Sequence, residues 1–358
     1  MSAKFHLISW TPYKKRYDLI MGGLVAAYLL GFLAVGKLVW REDRAISDEI
    51  LVLRALGTCA FLMLNIALCI GPLTRLDRRF LPLLYNRRHL GVATLFVGLL
   101  HGVLSIGFYH GFGRLNPLMS FAKSNSEYRS LSAFPFEMLG GAALLILLVM
   151  AVTSHDVWLN KLTPRIWKGI HMLVYLAWGL LVMHIALGAL QAERNLLYGT
   201  LLLLVVIVVS GLHVMAGRKE MTKDRIETLL SSDAGWINAC SVAQLSEGRG
   251  RPVKLPSGER VALFKYDGQI FAISNVCAHQ GGPLGEGRIV DGCVTCPWHG
   301  FQYRPGDGCA PPPFTEKLKT YEVRIKNGQV MVNIQARAPG TAIEPARIEE
   351  EGEAAHVG

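Results

Sequence analysis

Two short segments of the sequence each place a cysteine and a histidine within one tight loop. Cys277 and His279 lie in C-A-H-Q-G-G-P-L, and Cys296 and His299 lie in C-P-W-H-G-F-Q-Y. Thiolate and imidazole groups are ligands of transition metals, and the glycines and prolines beside them allow sharp turns and close approach of the backbone. The two loops therefore predict one metal centre with two cysteine and two histidine ligands.

Two kinds of centre share this ligand set. A Cys₂His₂ zinc site usually takes its cysteines from one loop and its histidines from another. In a Rieske [2Fe–2S] centre two cysteines hold one iron and two histidines hold the other. The mixed pairing in both loops favours the cluster over zinc. Residues 235–335 resemble the Rieske family, which implies a small, mostly antiparallel β domain.

Residues around the loops indicate which kind of Rieske domain this is. The respiratory quinol-oxidising members that the motif resembles carry an extra cysteine in each loop, and the two form a disulfide. The matching places here hold Gly282 and Trp298, and Phe301 replaces a serine that donates to a sulfide, while the matching tyrosine is kept as Tyr303. Fewer hydrogen bonds to sulfur lower the reduction potential, which we expect on the order of −150 mV. The resemblance is to ferredoxin-type members, and the missing disulfide suits a reducing cytoplasm.

The nearby cysteines are predicted to be free thiols: Cys293 and Cys309.

Three further histidines lie inside long apolar runs. His101 lies in the run near 90–110, and His171 and His184 both lie in the run near 168–190. A polar ring in hydrocarbon is costly and usually marks function, although a single histidine can instead form a hydrogen bond between helices. Three histidines on two non-adjacent runs, without a carboxylate relay, favour haem, because a neutral imidazole nitrogen is a standard axial ligand of haem iron.

The elements that must position these histidines are six apolar runs, each long enough to cross a hydrocarbon core, which needs about 20 helical residues. We call them spans one to six. Lysines and arginines crowd the loops before span one, between spans two and three, between four and five, and after six, so both termini are predicted to be cytoplasmic. The first span lacks a clear cleavage site and is interpreted as a retained helix. The predicted spans are 18–40, 51–71, 90–110, 134–154, 168–190 and 196–216.

Depth in the membrane distinguishes the histidines from one another. Counted from the cytoplasmic face at 1.5 Å per residue, His101 lies ~17 Å deep, His184 ~24 Å and His171 only ~4 Å. His101 and His184 are therefore the better matched axial pair. A second, inner haem on His171 and His89 is an open alternative. His171 and His184 are ~20 Å apart along one helix and face different directions, which the sequence does not explain.

The sequences around these histidines carry a second resemblance. N-R-R-H-L-G-V-A-T-L-F-V-G-L-L-H, ending at His101, and W-K-G-I-H-M-L-V-Y-L-A-W-G-L-L-V-M-H, ending at His184, resemble the ferric-reductase-like transmembrane family. The likeness covers about 50–215 and is greatest to the haem-binding membrane subunit of the methionine sulfoxide reductase system. It implies haem b ligation at His101, His171 and His184. The larger ferric reductases also append a flavin and nicotinamide domain, which this sequence does not show, so the resemblance leaves the direct reductant open.

Composition sets the domain organisation and excludes one class of function. The chain has 358 residues, 51% of them hydrophobic, and a formal net charge of +10. The positive charge lies beside the apolar runs rather than on an aromatic-rich basic face, which argues against nucleic-acid binding. We predict an α-helical membrane bundle followed by a small antiparallel all-β Rieske domain. The predicted divisions are a membrane domain at 1–216, a linker at 217–234, the Rieske domain at 235–335 and a disordered tail at 336–358.

These features together predict an oxidoreductase or electron-transfer component of a bacterial inner membrane. A cytosolic reductase would reduce the [2Fe–2S] cluster, the cluster would reduce haem b, and the haem would pass electrons to a quinone or a periplasmic redox enzyme. Two alternatives stay open. In the first, electrons flow in the opposite direction, from quinol through haem and cluster to a cytosolic oxygenase. In the second, the protein is a redox sensor in which the oxidation state of the cluster alters a membrane partner.

Overall fold

The chain folds into two compact units, Met1–Leu73 with Asn86–Val214, and Thr74–Tyr85 with Met215–Gly358. The first contains most of the membrane helices and the second contains the β domain. The computed structural model describes residues 12–39, 46–84, 87–123, 134–155, 158, 162, 164–192, 196–229, 235–279, 281–297, 300–312 and 314–348.

Among the described residues, six helical segments are long and apolar enough to cross a membrane, as the sequence predicted. Their lengths match the ~20 residues that a hydrocarbon core requires, and in apolar surroundings a helix satisfies every backbone group internally. In the connections that the structure describes, three shorter helical pieces lie at Arg78–Phe80, Leu81–Leu84 and Pro117–Lys123. The six membrane-crossing segments are Lys15–Leu38, Asp48–Leu76, Arg87–His110, Phe136–Thr153, Ile166–Gln191 and Leu196–Thr222.

Small residues let neighbouring spans approach closely. Gly98 and Gly102 of span three face Leu144 of span four, and a Cβ built on them would lie 3.4 and 3.1 Å from its methyl groups. Close packing across small residues is the usual way in which helices associate in a bilayer. Spans two and six meet in a buried apolar cluster that residues of spans four and five also contact, centred on Leu64, Leu68 and Val209.

Span five is not one regular helix. It consists of Pro164–Met172, Val174–Leu187 and Ala189–Ala192. At the first break the N–H of Leu173 donates to the carbonyl of Ile170 at 3.1 Å, three residues back rather than four. Such a 3₁₀ turn rotates the chain by ~120° per residue instead of ~100°. The directions of His171 and His184, on either side of the break, therefore do not follow regular helical spacing.

The described part of the β domain contains ten strands in three antiparallel sheets with the orders β1-β9-β8, β10-β4-β3-β2 and β5-β6-β7. The domain has two apolar cores. The first two sheets enclose one of them. The third sheet contributes to the second core, which also contains residues of the two ligand loops. The strands are β1 Trp236–Ser241, β2 Gly250–Lys254, β3 Arg260–Tyr266, β4 Gln269–Ser274, β5 Arg288–Val290, β6 Cys293–Thr295, β7 Gln302–Tyr303, β8 Val323–Lys326, β9 Gln329–Asn333 and β10 Ala346–Arg347.

Three hairpins of this domain use the same two-residue turn. Asp267 with Gly268, Asp291 with Gly292, and Asn327 with Gly328 join consecutive strands, and all six residues have positive φ. Paired left-handed residues form the turn whose twist matches a β-hairpin, and Asp-Gly and Asn-Gly are the sequences that tolerate it best. The local sequence therefore sets the register of the β3–β4, β5–β6 and β8–β9 pairs.

The expectation of a disordered tail at 336–358 is wrong for residues 336–348. Ala346 and Arg347 form β10, which pairs with β4, and the N–H groups of Gly340 and Ile343 donate to the carbonyls of Leu318 and Gly306 at 3.0 Å. The segment is held mainly through its backbone, by a strand edge that offers unpaired groups. Composition alone does not reveal this kind of pairing. Residues 349–358 lie outside the described part of the chain.

The sixth helix continues beyond the membrane segment into the predicted linker. It runs from Leu196 to Leu229, so the linker predicted at 217–234 is helical as far as Leu229. Within the second unit, Lys219 donates to the carbonyl of Leu76 at 2.8 Å, and Glu220 forms a 3.5 Å ion pair with Arg260 of β3.

Candidate redox centres

The two predicted cluster loops have the same backbone turn. In the first, the N–H of Gly281 donates to the carbonyl of Cys277 at 2.7 Å; in the second, the N–H of Gly300 donates to that of Cys296 at 2.9 Å. Both glycines have positive φ, 72° and 73°, a conformation that other residues adopt only with strain. The matching turns present Cys277 and Cys296 in equivalent ways, although the loops follow different strands.

Both cysteines are buried in the core that underlies the loops. Cys277 is 0% and Cys296 1% exposed, and Tyr303 of β7 is fully buried beside them. The Tyr303 hydroxyl lies 3.3 Å from the sulfur of Cys277 and accepts the backbone N–H of His279 at 3.2 Å. Burial, and then the neighbouring Cys277 thiolate, raise the pKa of Tyr303 far above its usual value. The hydroxyl therefore stays protonated and is the donor toward a thiolate.

The imidazole of His279 is positioned by an aromatic ring. It stacks on Phe301, with centroids 4.7 Å apart and an interplanar angle of 10°. Phe301, which replaces the serine of the quinol-oxidising proteins, thus packs against a predicted ligand. The His279 side chain is half-buried and its Nδ1 atom is fully buried. The fourth predicted ligand, His299, and the neighbouring Trp298 lie outside the described residues.

The described residues fit a mixed-ligand [2Fe–2S] cluster. No group of three or more histidine, cysteine or acidic side chains converges on one ion among the described residues, whereas each iron of such a cluster needs only two protein ligands. No disulfide forms among the seven cysteines, all of which the structure describes, in agreement with the free thiols predicted at Cys293 and Cys309.

Replacing Tyr303 with phenylalanine is expected to lower the potential of the cluster. The variant loses a hydrogen bond to a ligand sulfur, worth about 1 kcal/mol, which corresponds to a fall of roughly 40 mV for one electron. An EPR-monitored redox titration measures the change. Tyr321→Phe is the matched control, because that tyrosine is equally buried but its hydroxyl contacts Glu259 at 3.4 Å. An unchanged potential in Tyr303→Phe would contradict the donor role of Tyr303.

In the membrane unit, His101 and His184 share one hydrogen-bonding pattern. The Nδ1 of His101 donates to the carbonyl of Leu53 at 3.0 Å, and the Nδ1 of His184 donates to that of Phe136 at 2.8 Å. A histidine that binds metal usually fixes its tautomer in this way, with one N–H donated to a carbonyl and the other nitrogen available to the metal. The arrangement leaves Nε2 of both rings suited to haem iron.

Glycines on neighbouring spans make room for these two rings. A Cβ at Gly57 would lie 3.0 Å from the His101 ring, and one at Gly140 would lie 2.9 Å from the His184 ring. The two histidines lie in the same unit, and each has a glycine of a neighbouring span against its ring.

His171 is held differently, with both ring nitrogens in contact. Its Nδ1 lies 3.0 Å from the carbonyl of Trp167, its Nε2 lies 3.0 Å from the hydroxyl of Ser154, and the ring stacks on Trp167 at 3.9 Å. Haem ligation at His171 therefore requires the Ser154 contact to break. His89, its suggested partner, contacts the carboxylate of Asp18 at 2.7 Å.

Two polar side chains have contacts that are not evident from the sequence. His110, at the end of span three, is 9% exposed and contacts Ser120 and Glu137. Trp178, midway between His171 and His184 on span five, donates to the side chain of Asn65 at 2.8 Å. The sequence signal that could have indicated the contact between His110 and Glu137 is their position on consecutive spans at the same end of the bundle.

Comparison with known proteins agrees with both parts of the structure. Residues 235–322 match the model of the Rieske [2Fe–2S] domain, and residues 56–182 match that of the ferric reductase like transmembrane component. The ferredoxin component of the p-cumate 2,3-dioxygenase system of Pseudomonas putida is 34% identical over 114 residues, 31% of this chain and 94% of the relative. The anthranilate 1,2-dioxygenase ferredoxin subunit of Burkholderia cepacia is 38% identical over 105 residues, 28% of this chain and 94% of the relative.

Among solved structures, the complex of reduced oxygenase and oxidised ferredoxin in carbazole 1,9a-dioxygenase aligns with 26% identity and a TM-score of 0.28, over 30% of this chain and 99% of the matched chain.

The fold and the family matches define an integral membrane electron-transfer protein. Through its C-terminal domain the chain belongs to the Rieske [2Fe–2S] family, and its spans carry a ferric-reductase-like transmembrane component.

Proposed function

We propose that the protein relays electrons from a cytosolic reductase, through a cluster held by Cys277, His279, Cys296 and His299, to haem b in the membrane. The observation that carries the proposal is the joining of a Rieske domain and a ferric-reductase-like bundle in one polypeptide. Each module alone passes single electrons, and the protein supplies their position and potential. The onward acceptor is a quinone or a periplasmic redox enzyme.

His101 and His184 are the proposed axial ligands of the haem. Support comes from their matched depths, their shared Nδ1 donation to backbone carbonyls and the glycines opposite their rings. When bound, haem supplies reversible one-electron chemistry at iron. His171 is a proposed further ligand by family likeness, and an inner haem on His171 and His89 would require the Ser154 and Asp18 contacts to be replaced.

The relay is tested by single-turnover reduction of the purified full-length chain with a light-activated soluble flavin. The cluster signal should appear first and the reduced haem band should follow. In a variant without the cluster, Cys277→Ser, the haem should stay oxidised on this timescale and still reduce with excess dithionite. Haem reduction at the wild-type rate in that variant would show that electrons bypass the cluster.

A second candidate function reverses the flow, from quinol through haem and cluster to a cytosolic oxygenase. It is favoured by the relatives, which are ferredoxin components of dioxygenase systems. The ordering of midpoint potentials separates the two directions. A cluster potential below that of the haem favours the relay toward the membrane, and a cluster potential above it favours the oxygenase route.

We expect both termini on the cytoplasmic side of the bacterial inner membrane. The reason is the excess of lysine and arginine in the loops that this orientation places inside. Alkaline phosphatase, which is active only in the periplasm, should be inactive when fused after Gly358 and active when inserted near Gly113, between spans three and four. Activity of the Gly358 fusion would refute the orientation, and with it a cytosolic electron donor.

A further inference from the structure

A buried histidine–carboxylate pair lies where span three ends and span four begins. The side chain of His110 is 9% exposed and that of Glu137 29%, and the Nε2 of His110 is 3.1 Å from a Glu137 oxygen. The other ring nitrogen of His110 lies 3.1 Å from the hydroxyl of Ser120, and Phe121 packs edge-on against the ring at 6.0 Å. An ionisable pair within a membrane bundle is costly and usually marks function.

The pair adjoins the proposed outer haem ligand. Glu137 follows Phe136, whose carbonyl accepts the N–H of His184 and whose ring lies 5.5 Å from the His184 ring. The described structure thus places a histidine–carboxylate pair next to a residue proposed to hold the haem.

We propose that His110 and Glu137 form the headgroup site of a quinone, which rests on the relay proposed above and names its acceptor. Haem delivers one electron at a time, whereas conversion of a quinone to a quinol takes two electrons and two protons. A quinone site therefore needs a proton donor at the carbonyl oxygen as well as the haem. Both ring nitrogens of His110 are in contact, so one of these contacts must open for the pair to donate to that oxygen. The pair then supplies both a hydrogen-bond donor and an exchangeable proton.

Reduction of one quinone to a quinol balances when two single electrons and two protons reach it. Two electrons, which bound haem would supply one at a time from the cluster, would enter the quinone ring, and each of its two carbonyl oxygens would gain a proton and become a hydroxyl. Each proton leaves through the His110–Glu137 pair, which is reprotonated from water. Glu137 is the more exposed of the two side chains, so it is the member that exchanges protons with solvent.

A second histidine–carboxylate pair, His89 with Asp18, lies at the opposite end of span three. The proposed outer haem favours the His110 pair as the quinone site, because His184 lies next to it in the fold. In the proposed orientation, this end of the bundle faces the periplasm. A quinone reduced there takes up its protons from that side.

The test measures oxidation of chemically reduced haem by ubiquinone-1 in the full-length protein by stopped flow. The wild type should show a saturable rate. Glu137→Gln and His110→Asn should each lower the saturating rate about tenfold or more, because an amide can still donate a hydrogen bond to the headgroup but cannot exchange a proton with it, while haem content and spectrum stay unchanged. Glu49→Gln, the same change on an exposed carboxylate at the same end of the bundle, should match the wild type.

Each outcome either supports or overturns the proposed quinone site. A wild-type saturating rate in both variants, or a rate that never saturates in the wild type, overturns the site. If Glu137→Gln loses haem, Ser120→Ala carries the same test, since it removes only the hydroxyl on the far ring nitrogen. Because the haem is reduced chemically, failure here leaves the cluster-to-haem relay intact and indicates a redox protein as acceptor. Failure of the cluster to reduce haem would refute the relay and leave this result standing.

Discussion

Replacing Cys277 or Cys296 with serine is expected to abolish the [2Fe–2S] cluster. Each is a fully buried sulfur at the start of one of the two matching turns, and a serine hydroxyl is a far poorer ligand for iron than a thiolate. The EPR signal of the reduced cluster and the acid-labile sulfide should fall to background. Because metal binding couples to folding, the β domain should also lose stability.

The matched control for this loss is Cys293→Ser. Cys293 lies three residues before Cys296 in the same domain but at a half-buried position on β6. Burial raises the pKa of the Cys293 thiol, partly offset by Arg304, so this sulfur stays protonated at neutral pH and is a weak ligand. The Cys293→Ser protein should keep the full cluster. Stoichiometric zinc in the wild type, with no labile sulfide, would contradict the cluster altogether.

Haem content in the two cysteine variants tests whether the modules are independent. The spans and the β domain have separate apolar cores, so loss of the cluster should leave haem in place. An equal loss of haem would show that the two centres assemble together.

Much of the fold was readable from the sequence because its signals are local. Hydropathy predicts all six spans, and Asp-Gly and Asn-Gly predict hairpin turns. The pairing of β1 with β9 joins residues far apart in the chain, and β10 is held by the edge of β4. Pairings of this kind depend on the assembled domain. The same holds for the break in span five at Leu173, which no glycine or proline marks.

The candidate sites also combine features with local sequence signals and features that depend on the assembled fold. Ligand types and spacing are local, so Cys277, His279, Cys296 and His299 could be predicted from two short motifs. The Leu53 and Phe136 carbonyls that hold His101 and His184 are backbone groups on other spans, and nothing in the sequence identifies them. The contacts of His110 with Ser120 and Glu137 also join different elements, so the position of His110 at a span end does not reveal them.

His101→Ala and His184→Ala are each expected to remove the main low-spin haem. A bis-histidine haem that loses one ligand becomes five-coordinate or takes a water, so the reduced optical bands should shift, and most of the haem should be lost on purification. Pyridine haemochrome content and the reduced-minus-oxidised spectrum measure both effects. His213→Ala is the control, because this histidine also lies within a span but its Nδ1 contacts the carbonyl of Val209 on its own helix.

His171→Ala separates one haem from two. With a single haem on His101 and His184, this change removes only the contacts with Trp167 and Ser154, so haem content should stay near the wild-type level. With an inner haem, it should remove about half, and His89→Ala should do the same. Full, spectrally unchanged haem in both the His101 and His184 variants would overturn the axial pair. Protein that carries the cluster but no haem under haem-replete expression would refute haem as the membrane carrier.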